Sequence, residues 1–399
     1  MNGTSNERYA SNLFTPTEDH EYLRQDVREF CQSIDMDKQA EIHDEKEHLN
    51  VDLFRQIGER GWHGVTIPEE YDGMGMDTTA AVIIHHELSK YDPGFCLAYL
   101  AHSMLFVNNF FYCANEEQKK KFLTPTLTGE WVAGMGMTEP GYGTDVIGMT
   151  TTAERRGDKY ILNGTKTYIT NGPEGHIFLV YAKVEGRITA FIVTADCPGF
   201  AASNHIPKMG MRGSSMSELI FTDCEIPASN LLGQEGGGLV HMMRNLEIER
   251  LALAAMSLGI ADRCMELMLE YGHQRKAFGQ PINRFGQIQK MIGDSYAMTE
   301  AARCLIYNVA RDVAPDVQNR IGSDAAKLFA APVGKVVADN CMQVYGGAGY
   351  CREYPIERLL RDAKLLEIGG GTLESHQKNL TKDLTKFHLK NTANTDYRR

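Results

Sequence analysis

The stretch Asn245-Leu-Glu-Ile-Glu-Arg-Leu-Ala-Leu-Ala-Ala255 has a helical pattern that carries a carboxylate among residues suited to burial. Leu246, Glu249 and Leu253 fall on one stripe, because residues three and four apart share a face of a helix. A carboxylate on such a stripe is either half of a buried salt bridge, with Arg250 or a basic residue elsewhere, or a functional acid or base. The pattern alone favours the salt bridge, and the rest of the chain reverses that preference.

Composition sets the class of protein. The 399 residues, 43% of them hydrophobic, are enough for two or three domains with a sizeable core. The net charge of −11, from 41 Lys and Arg against 52 Asp and Glu, argues against non-specific binding to nucleic acid or an anionic membrane. The nine cysteines form no CxxC pair or regular framework, which is typical of reduced thiols in an intracellular protein, and no metal site is predicted.

The N-terminal segment 1–13 is polar and lacks the apolar centre of a secretory signal. No run reaches the roughly 18 apolar residues of a membrane span. We therefore expect a soluble cytoplasmic protein, or a mitochondrial matrix protein if a eukaryotic transit peptide has been removed.

The hydrophobic periodicity changes twice along the chain, and this predicts three domains. Residues 1–130 are helical, with runs at 21–33, 51–61, 78–90 and 95–113; residues 131–236 hold short β-branched and aromatic runs; residues 237–399 are helical again. The predicted fold class is therefore multidomain α+β. It comprises an N-terminal helical domain, a central antiparallel β-barrel or sheet, and a C-terminal four-helix bundle.

Three glycine-rich segments interrupt these elements. They are Gly136-Met-Thr-Glu-Pro-Gly-Tyr-Gly-Thr-Asp145, Gln343-Val-Tyr-Gly-Gly-Ala-Gly-Tyr350 and Glu367-Ile-Gly-Gly-Gly-Thr372. The two in the bundle do not have the GxGxxG spacing after a strand that a Rossmann site requires. Taken singly, such glycines are also typical of helix C-caps.

Together these segments resemble the acyl-CoA dehydrogenase family over residues 18–380, and its isovaleryl-CoA dehydrogenase branch most closely. Six passages occur in the family's order: Ile67-Pro-Glu-Glu-Tyr-Asp-Gly-Met-Gly, Met137-Thr-Glu-Pro-Gly-Tyr-Gly-Thr-Asp, Tyr168-Ile-Thr-Asn-Gly, Arg275-Lys-Ala-Phe-Gly-Gln-Pro-Ile, Gln343-Val-Tyr-Gly-Gly-Ala-Gly-Tyr and Arg361-Asp-Ala-Lys.

The resemblance implies a flavoenzyme that binds FAD between the β domain and the bundle. A neighbouring subunit would complete the site within a homotetramer, a dimer of dimers. Arg275 would pair with the pyrophosphate of a neighbour's FAD, and Tyr168 stands where the family usually has Trp. The residues implied to hold FAD are Met137, Thr138, Gly143, Thr144, Tyr168, Thr170, Arg275, Phe278, Gln343, Gly346, Gly347, Thr372 and Glu374.

The resemblance also implies the reaction, which is α,β-dehydrogenation of an acyl thioester to the 2-enoyl thioester. Most members carry the base in the loop that corresponds to Gly370, whereas the isovaleryl branch carries it at the position of Glu249. Glu249 is therefore the implied base, with a pKa raised by burial, and the backbone N–H of Gly370 would polarise the thioester carbonyl. Hydride passes to flavin N5, and an electron-transfer flavoprotein is the implied acceptor.

The residues implied to contact substrate are Leu97, Ala101, Tyr142, Thr144, Leu246, Arg250 and Gly369. Cys96 stands where the glutaryl branch has arginine, so we expect an apolar, short branched acyl group such as that of isovaleryl-CoA. The sequence departs from the family pattern at Tyr142, Gly286 and Leu373. An acyl group on an acyl carrier protein, an oxidase that passes electrons to O₂, and a flavin-binding regulatory homologue are the alternatives, and Glu249 argues against the last.

Overall fold

The computed structural model of the chain describes residues 13–314 and 319–393. A helical N-terminal region, a central sheet and a helical C-terminal region follow one another, which confirms the predicted fold class. Most of the polar N-terminal segment used above lies outside the described residues.

Side-chain caps start several N-terminal helices. Thr17, Asp77 and Asn115 accept hydrogen bonds from backbone N–H groups in the first turns of the helices that begin at Glu18, Thr78 and Glu116. The helices at 36–46 and 116–127 lie outside the four predicted runs, and the first of them has a short polar sequence with little helical stripe. The helices are α1 (Glu18–Ser33), α2 (Met36–Lys46), α3 (Val51–Glu59), α4 (Thr78–Ser89), α5 (Pro93–Leu100), α6 (Asn109–Cys113) and α7 (Glu116–Leu127).

A π-helical segment, Ala101–Asn108, joins α5 and α6 into one continuous helix, Pro93–Cys113. This helix is long and apolar enough to cross a membrane, with a mean hydropathy of 1.2, so the expectation that no run would qualify was wrong. Within the protein, 89% of that window is buried, which is the property of a core helix.

The central sheet has the strands β1 (Ala133–Gly136), β2 (Thr152–Arg156), β3 (Lys159–Thr170), β4 (Ile177–Val184), β5 (Arg187–Thr194), β6 (Phe200–Ala202), β7 (Met216–Pro227) and β8 (Leu231–Leu232). It is mostly antiparallel, in the order β6-β7-β3-β2-β4-β5-β8, and β1 pairs with β4 in parallel. Two predicted runs, 160–162 and 166–170, form the single strand β3, with irregular register at two points.

Helix α8 is the axis of the C-terminal region, with 37 residues. It packs on α9 and α10, while α12 and α13 pack on α10, and α4 of the N-terminal region covers part of α8. One hydrophobic cluster therefore runs through both helical regions. The elements are α8 (Gly238–Gln274), the hairpin β9 (Lys276–Ala277) and β10 (Gln280–Pro281), α9 (Gly286–Ala310), α10 (Arg320–Tyr345), α11 (Gly347–Tyr350), α12 (Ile356–Leu366) and α13 (Leu373–Ala393).

Candidate active site

Glu249 lies in the middle of α8 and is buried, with 6% of its surface exposed. Its Oε2 atom has no hydrogen-bond partner among the described residues. Burial raises the pKa of Glu249 to about 7, against the opposing effect of the cations Arg250 and Lys327. A carboxyl group with this pKa can exist in both protonation states near neutral pH, as a general base requires.

Glu249 forms no salt bridge with any residue that the structure describes. Arg250 directs Nη1 toward Asp324 on α10, at 3.3 Å from Oδ1, and Lys327 donates to the carbonyl of Leu366. Both cations near Glu249 are thus engaged elsewhere. The carboxyl group is left free to accept a proton from a ligand.

The glycine loop between α12 and α13 lies directly opposite Glu249. A Cβ atom on Gly370 would be 3.4 Å from Glu249 Oε1 and would overlap Cδ1 of Leu253. The φ angle of Gly370 is +67°, a conformation that a residue with a side chain rarely adopts. Gly369 also lies in this half-buried loop, and Thr372 caps the following helix by accepting from Ser375 N at 3.3 Å.

The β domain reaches the same region through the loop after β1. Met137 of this loop and Leu246, one turn before Glu249 on α8, pack against the same hydrophobic cluster. Beneath the loop, Lys166 Nζ donates to Glu139 Oε1 at 2.8 Å, and both side chains are buried. Burial alone would raise the pKa of Glu139, but hydrogen bonds from Lys166 and the backbone N–H groups of Thr150 and Thr151 lower it to about 2.

Tyr168 projects from an irregular part of the β3–β7 pairing, between Lys166 and Ile169. Its φ angle is +59°, and 64% of its surface is exposed. Bulges near active sites often redirect a side chain in this way, and a large exposed aromatic face is a surface suited to stacking. The other implied FAD residues on the β domain, Thr138, Gly143, Thr144 and Thr170, are half-buried or exposed.

A second group of implied FAD residues lies at the far end of the bundle. Arg275 ends α8, twenty-six residues after Glu249, which corresponds to about 39 Å of helix. Phe278 is 96% exposed with a φ angle of +49°, and a stack of Tyr271 on Tyr345 at 3.9 Å ties this end of α8 to the end of α10. The remaining members of the group, Gln343, Gly346 and Gly347, are exposed there. The structure therefore does not bring these residues to Glu249 within one chain.

The implied substrate residues Leu97, in α5, and Ala101, at the start of the π-helical segment, lie on the Pro93–Cys113 helix. Arg244 stacks over the ring of Tyr112 at 4.1 Å, and Arg263 lies over the ring of Tyr91, two residues before Pro93, at 5.6 Å, so this helix runs antiparallel to α8. The half-buried Leu97 and the buried Ala101 therefore lie from Glu249 toward the C-terminal end of α8.

Cys96 does not support the argument that was based on it. Its Sγ lies 3.5 Å from the carbonyl oxygen of His85 in α4, and the side chain is fully buried in the helical core. Asn171 is one residue that links this helix to the sheet, because its Nδ2 donates to Ala98 O at 2.9 Å and to Ala133 O at 3.0 Å.

The departures from the family pattern have local explanations. Tyr142 lies over Gly148, where a Cβ atom would come within 2.5 Å of the ring. Gly286 starts α9 in open space, and Leu373 packs on the main hydrophobic cluster.

Sequence reasoning missed several polar residues around the base. Asn245 lies one turn before Glu249 on α8, is 1% exposed, and has no partner for either polar atom of its amide among the described residues. His376 and Asp324 form a fully buried pair next to the glycine loop. An isolated Asn or His gives no periodic signal, so a pattern search has nothing to find.

Comparison with known proteins decides the family. The acyl-CoA dehydrogenase N-terminal, middle and C-terminal domain families match residues 17–130, 134–224 and 236–385. The chain belongs to the acyl-CoA dehydrogenase family. It is 40% identical to the mitochondrial isovaleryl-CoA dehydrogenase of Pongo abelii over 368 residues, covering 90% of this chain and 86% of that protein. It is 38% identical to the same enzyme of Oryza sativa subsp. japonica, covering 94% and 93%.

Solved structures of this family superpose closely. Butyryl-CoA dehydrogenase of Megasphaera elsdenii has a TM-score of 0.89 and 33% identity, covering 92% of this chain and 98% of that one. An acyl-CoA dehydrogenase complexed with FAD from Bacillus anthracis has a TM-score of 0.88 and 31% identity, covering 94% and 68%. The prolyl acyl carrier protein oxidase AnaB has a TM-score of 0.87 and 31% identity, covering 92% and 99%.

The residues of this acyl-CoA dehydrogenase fit an FAD. Tyr168 and Phe278 are exposed aromatic rings on left-handed backbone, and such backbone strain is concentrated at ligand sites. Gly143, Gly346 and Gly347 have open space where a side chain would stand, so a ligand can approach their backbone. Arg275 is exposed, and its guanidinium has no ion pair among the described residues.

Proposed function

We propose that the protein is an FAD-dependent dehydrogenase that converts a short branched-chain acyl-CoA, such as isovaleryl-CoA, to the 2-enoyl-CoA. The observation that carries the proposal is the buried Glu249 carboxyl group, whose pKa is raised to about 7 opposite a loop with no side chain. The similarity to isovaleryl-CoA dehydrogenases supports the branched-chain substrate.

In the proposed reaction, Glu249 takes the α proton of the thioester. The backbone N–H of Gly370 faces the carbonyl oxygen, which stabilises the negative charge that develops there. When bound, FAD would supply the acceptor for the hydride, which leaves the β carbon with its C–H electron pair, while the electron pair released by loss of the α proton forms the double bond. Thr138, Thr144 and Tyr168 would hold and cover the flavin, while Leu253 and Ile248 help to keep water from the carboxyl group.

The orientation of the substrate follows from the direction of α8. Leu97 and Ala101 lie from Glu249 toward the C-terminal end of α8, so the acyl tail extends to that side and the carrier arm to the side of Asn245. The first amide of a pantetheine arm is five bonds from the α carbon, about 6 Å, which matches the spacing of one helical turn. Asn245 offers the donor and the acceptor that such an amide needs. CoA and acyl carrier protein both carry a pantetheine arm with this amide, so the contact would serve either carrier.

The oligomer and the acceptor belong to the same proposal. Bundle residues far from Glu249 expose large apolar side chains, namely Leu269, Phe278, Tyr296, Phe329 and Tyr350. Such a surface suits subunit contacts and the sharing of FAD through Arg275 in a homotetramer. An electron-transfer flavoprotein is the proposed acceptor. The free cysteines suit a reducing compartment, the cytoplasm or the mitochondrial matrix.

The test is anaerobic bleaching of the bound flavin by a panel of acyl thioesters. Isovaleryl-CoA should bleach the flavin faster than butyryl-, octanoyl- or glutaryl-CoA. A protein that takes up no FAD, or a flavin that none of these thioesters reduces, would reject the proposal.

The similarity to the prolyl acyl carrier protein oxidase AnaB supports testing two alternatives, an oxidase and an enzyme for a carrier-bound acyl group. Formation of hydrogen peroxide in air without an added acceptor would indicate an oxidase. Faster reduction by the same acyl group on a carrier protein than on CoA would indicate the carrier-bound substrate.

A further inference from the structure

Residues 368–371 of the glycine loop carry no polar side chain, and two buried side chains hold the backbone on either side of them. Lys327 donates to the carbonyl of Leu366, the last residue of α12 and two residues before this stretch. His376 Nε2 lies 3.0 Å from the carbonyl oxygen of Gly371, at its end. Both side chains are fully buried. Gly370 and Gly371 have φ angles of +67° and +99°. Because glycine adopts many backbone conformations, these two contacts limit how the loop peptides can turn.

The second ring nitrogen of His376 contacts α10. Nδ1 lies 2.5 Å from Oδ1 of Asp324, and neither side chain is exposed. The buried ring therefore joins a carboxyl group on α10 to the backbone carbonyl of Gly371.

One turn of α10 therefore supports the whole site. Asp324 and Lys327 are three residues apart on α10. Lys327 donates to the residue that ends α12, before the loop, and Asp324 contacts His376, whose ring lies against the end of the loop. Asp324 also faces Arg250, the residue after Glu249. The loop and the base are thus positioned by the same buried carboxylate.

We propose that His376 is a positioning residue for the reaction. It fixes the end of the glycine loop so that the N–H of Gly370 faces the thioester oxygen while Glu249 faces the α carbon. This inference rests on the proposed function, which assigns that N–H to the thioester. Donors that are fixed before the reaction stabilise developing charge better than donors that must reorient.

The experiment compares two ligands in the FAD-loaded enzyme. Isovaleryl-CoA has the thioester oxygen, and S-(3-methylbutyl)-CoA, its thioether analogue, does not. In His376→Gln, flavin reduction by isovaleryl-CoA should fall about tenfold to a hundredfold, less than the roughly 10²–10³-fold loss of an oxyanion donor. The dissociation constant of the thioether should be unchanged. Gln377→Asn, at an exposed position of α13, is the matched control and should alter neither quantity.

Asp324→Asn removes the charge of the partner without a large change in shape. Like His376→Gln, it should lower the rate of flavin reduction by isovaleryl-CoA and leave the dissociation constant of the thioether unchanged. An unchanged reduction rate in His376→Gln, or equal weakening of both ligands, would overturn the proposal. Failure of both variants to fold would make the pair purely structural and would also overturn it. If the unaltered enzyme binds isovaleryl-CoA but is not reduced, the proposed function fails. The comparison of thioester and thioether binding then still tests His376.

Discussion

Glu249 and Gly370 occupy facing positions, since a Cβ atom on Gly370 would lie 3.4 Å from Glu249 Oε1. A carboxylate on either backbone would reach the same space. In this protein α8 supplies the carboxylate, and the glycine loop contributes only backbone atoms.

Glu249→Gln keeps the size of the side chain but removes its ability to accept a proton. Flavin reduction by isovaleryl-CoA should fall by roughly 10²–10⁴-fold, as for a lost general base. Stopped-flow absorbance measures the rate, and FAD content should not change. The matched control is Glu247→Gln, a second buried carboxylate on α8 that accepts from Asn319 N at 2.9 Å. A near-normal rate of flavin reduction in Glu249→Gln would mean that another residue is the base.

The pKa of Glu249 predicts two pH profiles with opposite slopes. The reduction rate should rise through pH about 7, because only the ionised carboxylate accepts the proton. Stability should respond in the other direction. The folded state holds the proton more tightly than the unfolded state, so this group lowers stability as pH rises from about 4.5 to about 7.

Glu249→Gln should therefore raise the free energy of unfolding at pH about 8 by about 3 kcal/mol, and by little below pH 4.5. Denaturant titrations at both pH values measure this. An equal change in the free energy of unfolding at the two pH values would contradict the raised pKa of Glu249.

Moving the carboxylate to the loop tests whether the two positions are equivalent. The double variant Glu249→Gly with Gly370→Glu should recover little activity, because a side chain at residue 370 meets Leu253 on left-handed backbone. Adding Leu253→Ala makes room and should raise the reduction rate above that of the double variant. Equal rates in the double and triple variants would mean that Leu253 is not the obstacle.

Asn245→Ala removes a buried amide that has no partner in the protein, so stability should change little. The control Asn109→Ala removes a buried amide that donates to Tyr181 OH at 3.0 Å, and it should cost about 1–3 kcal/mol. If Asn245 serves the carrier arm, only Asn245→Ala should raise KM for isovaleryl-CoA. A large loss of stability with unchanged KM would remove the assignment.

The sequence predicted the periodic features of this protein well. The order of helical and β regions and the burial of Glu249 follow from spacing alone. The π-helical segment and the β3 bulge are set by packing between distant segments, so local pattern misses them. The same holds for the pairing of His376 with Asp324, because 52 residues separate the two side chains. Motif resemblance supplied candidate residues without their geometry, which is why Cys96 was interpreted as a pocket residue although it faces α4.

The length of α8 has a genetic consequence. Because Arg275 lies about 39 Å of helix from Glu249, each cofactor site would take its base from one subunit and its guanidinium from another. On the proposed function, a Glu249→Gln subunit and an Arg275→Ala subunit should each be defective alone. When they assemble together, one of the two shared sites would combine an intact Glu249 with an intact Arg275. Co-expression of the two alleles should therefore restore activity that neither allele has, which is intragenic complementation.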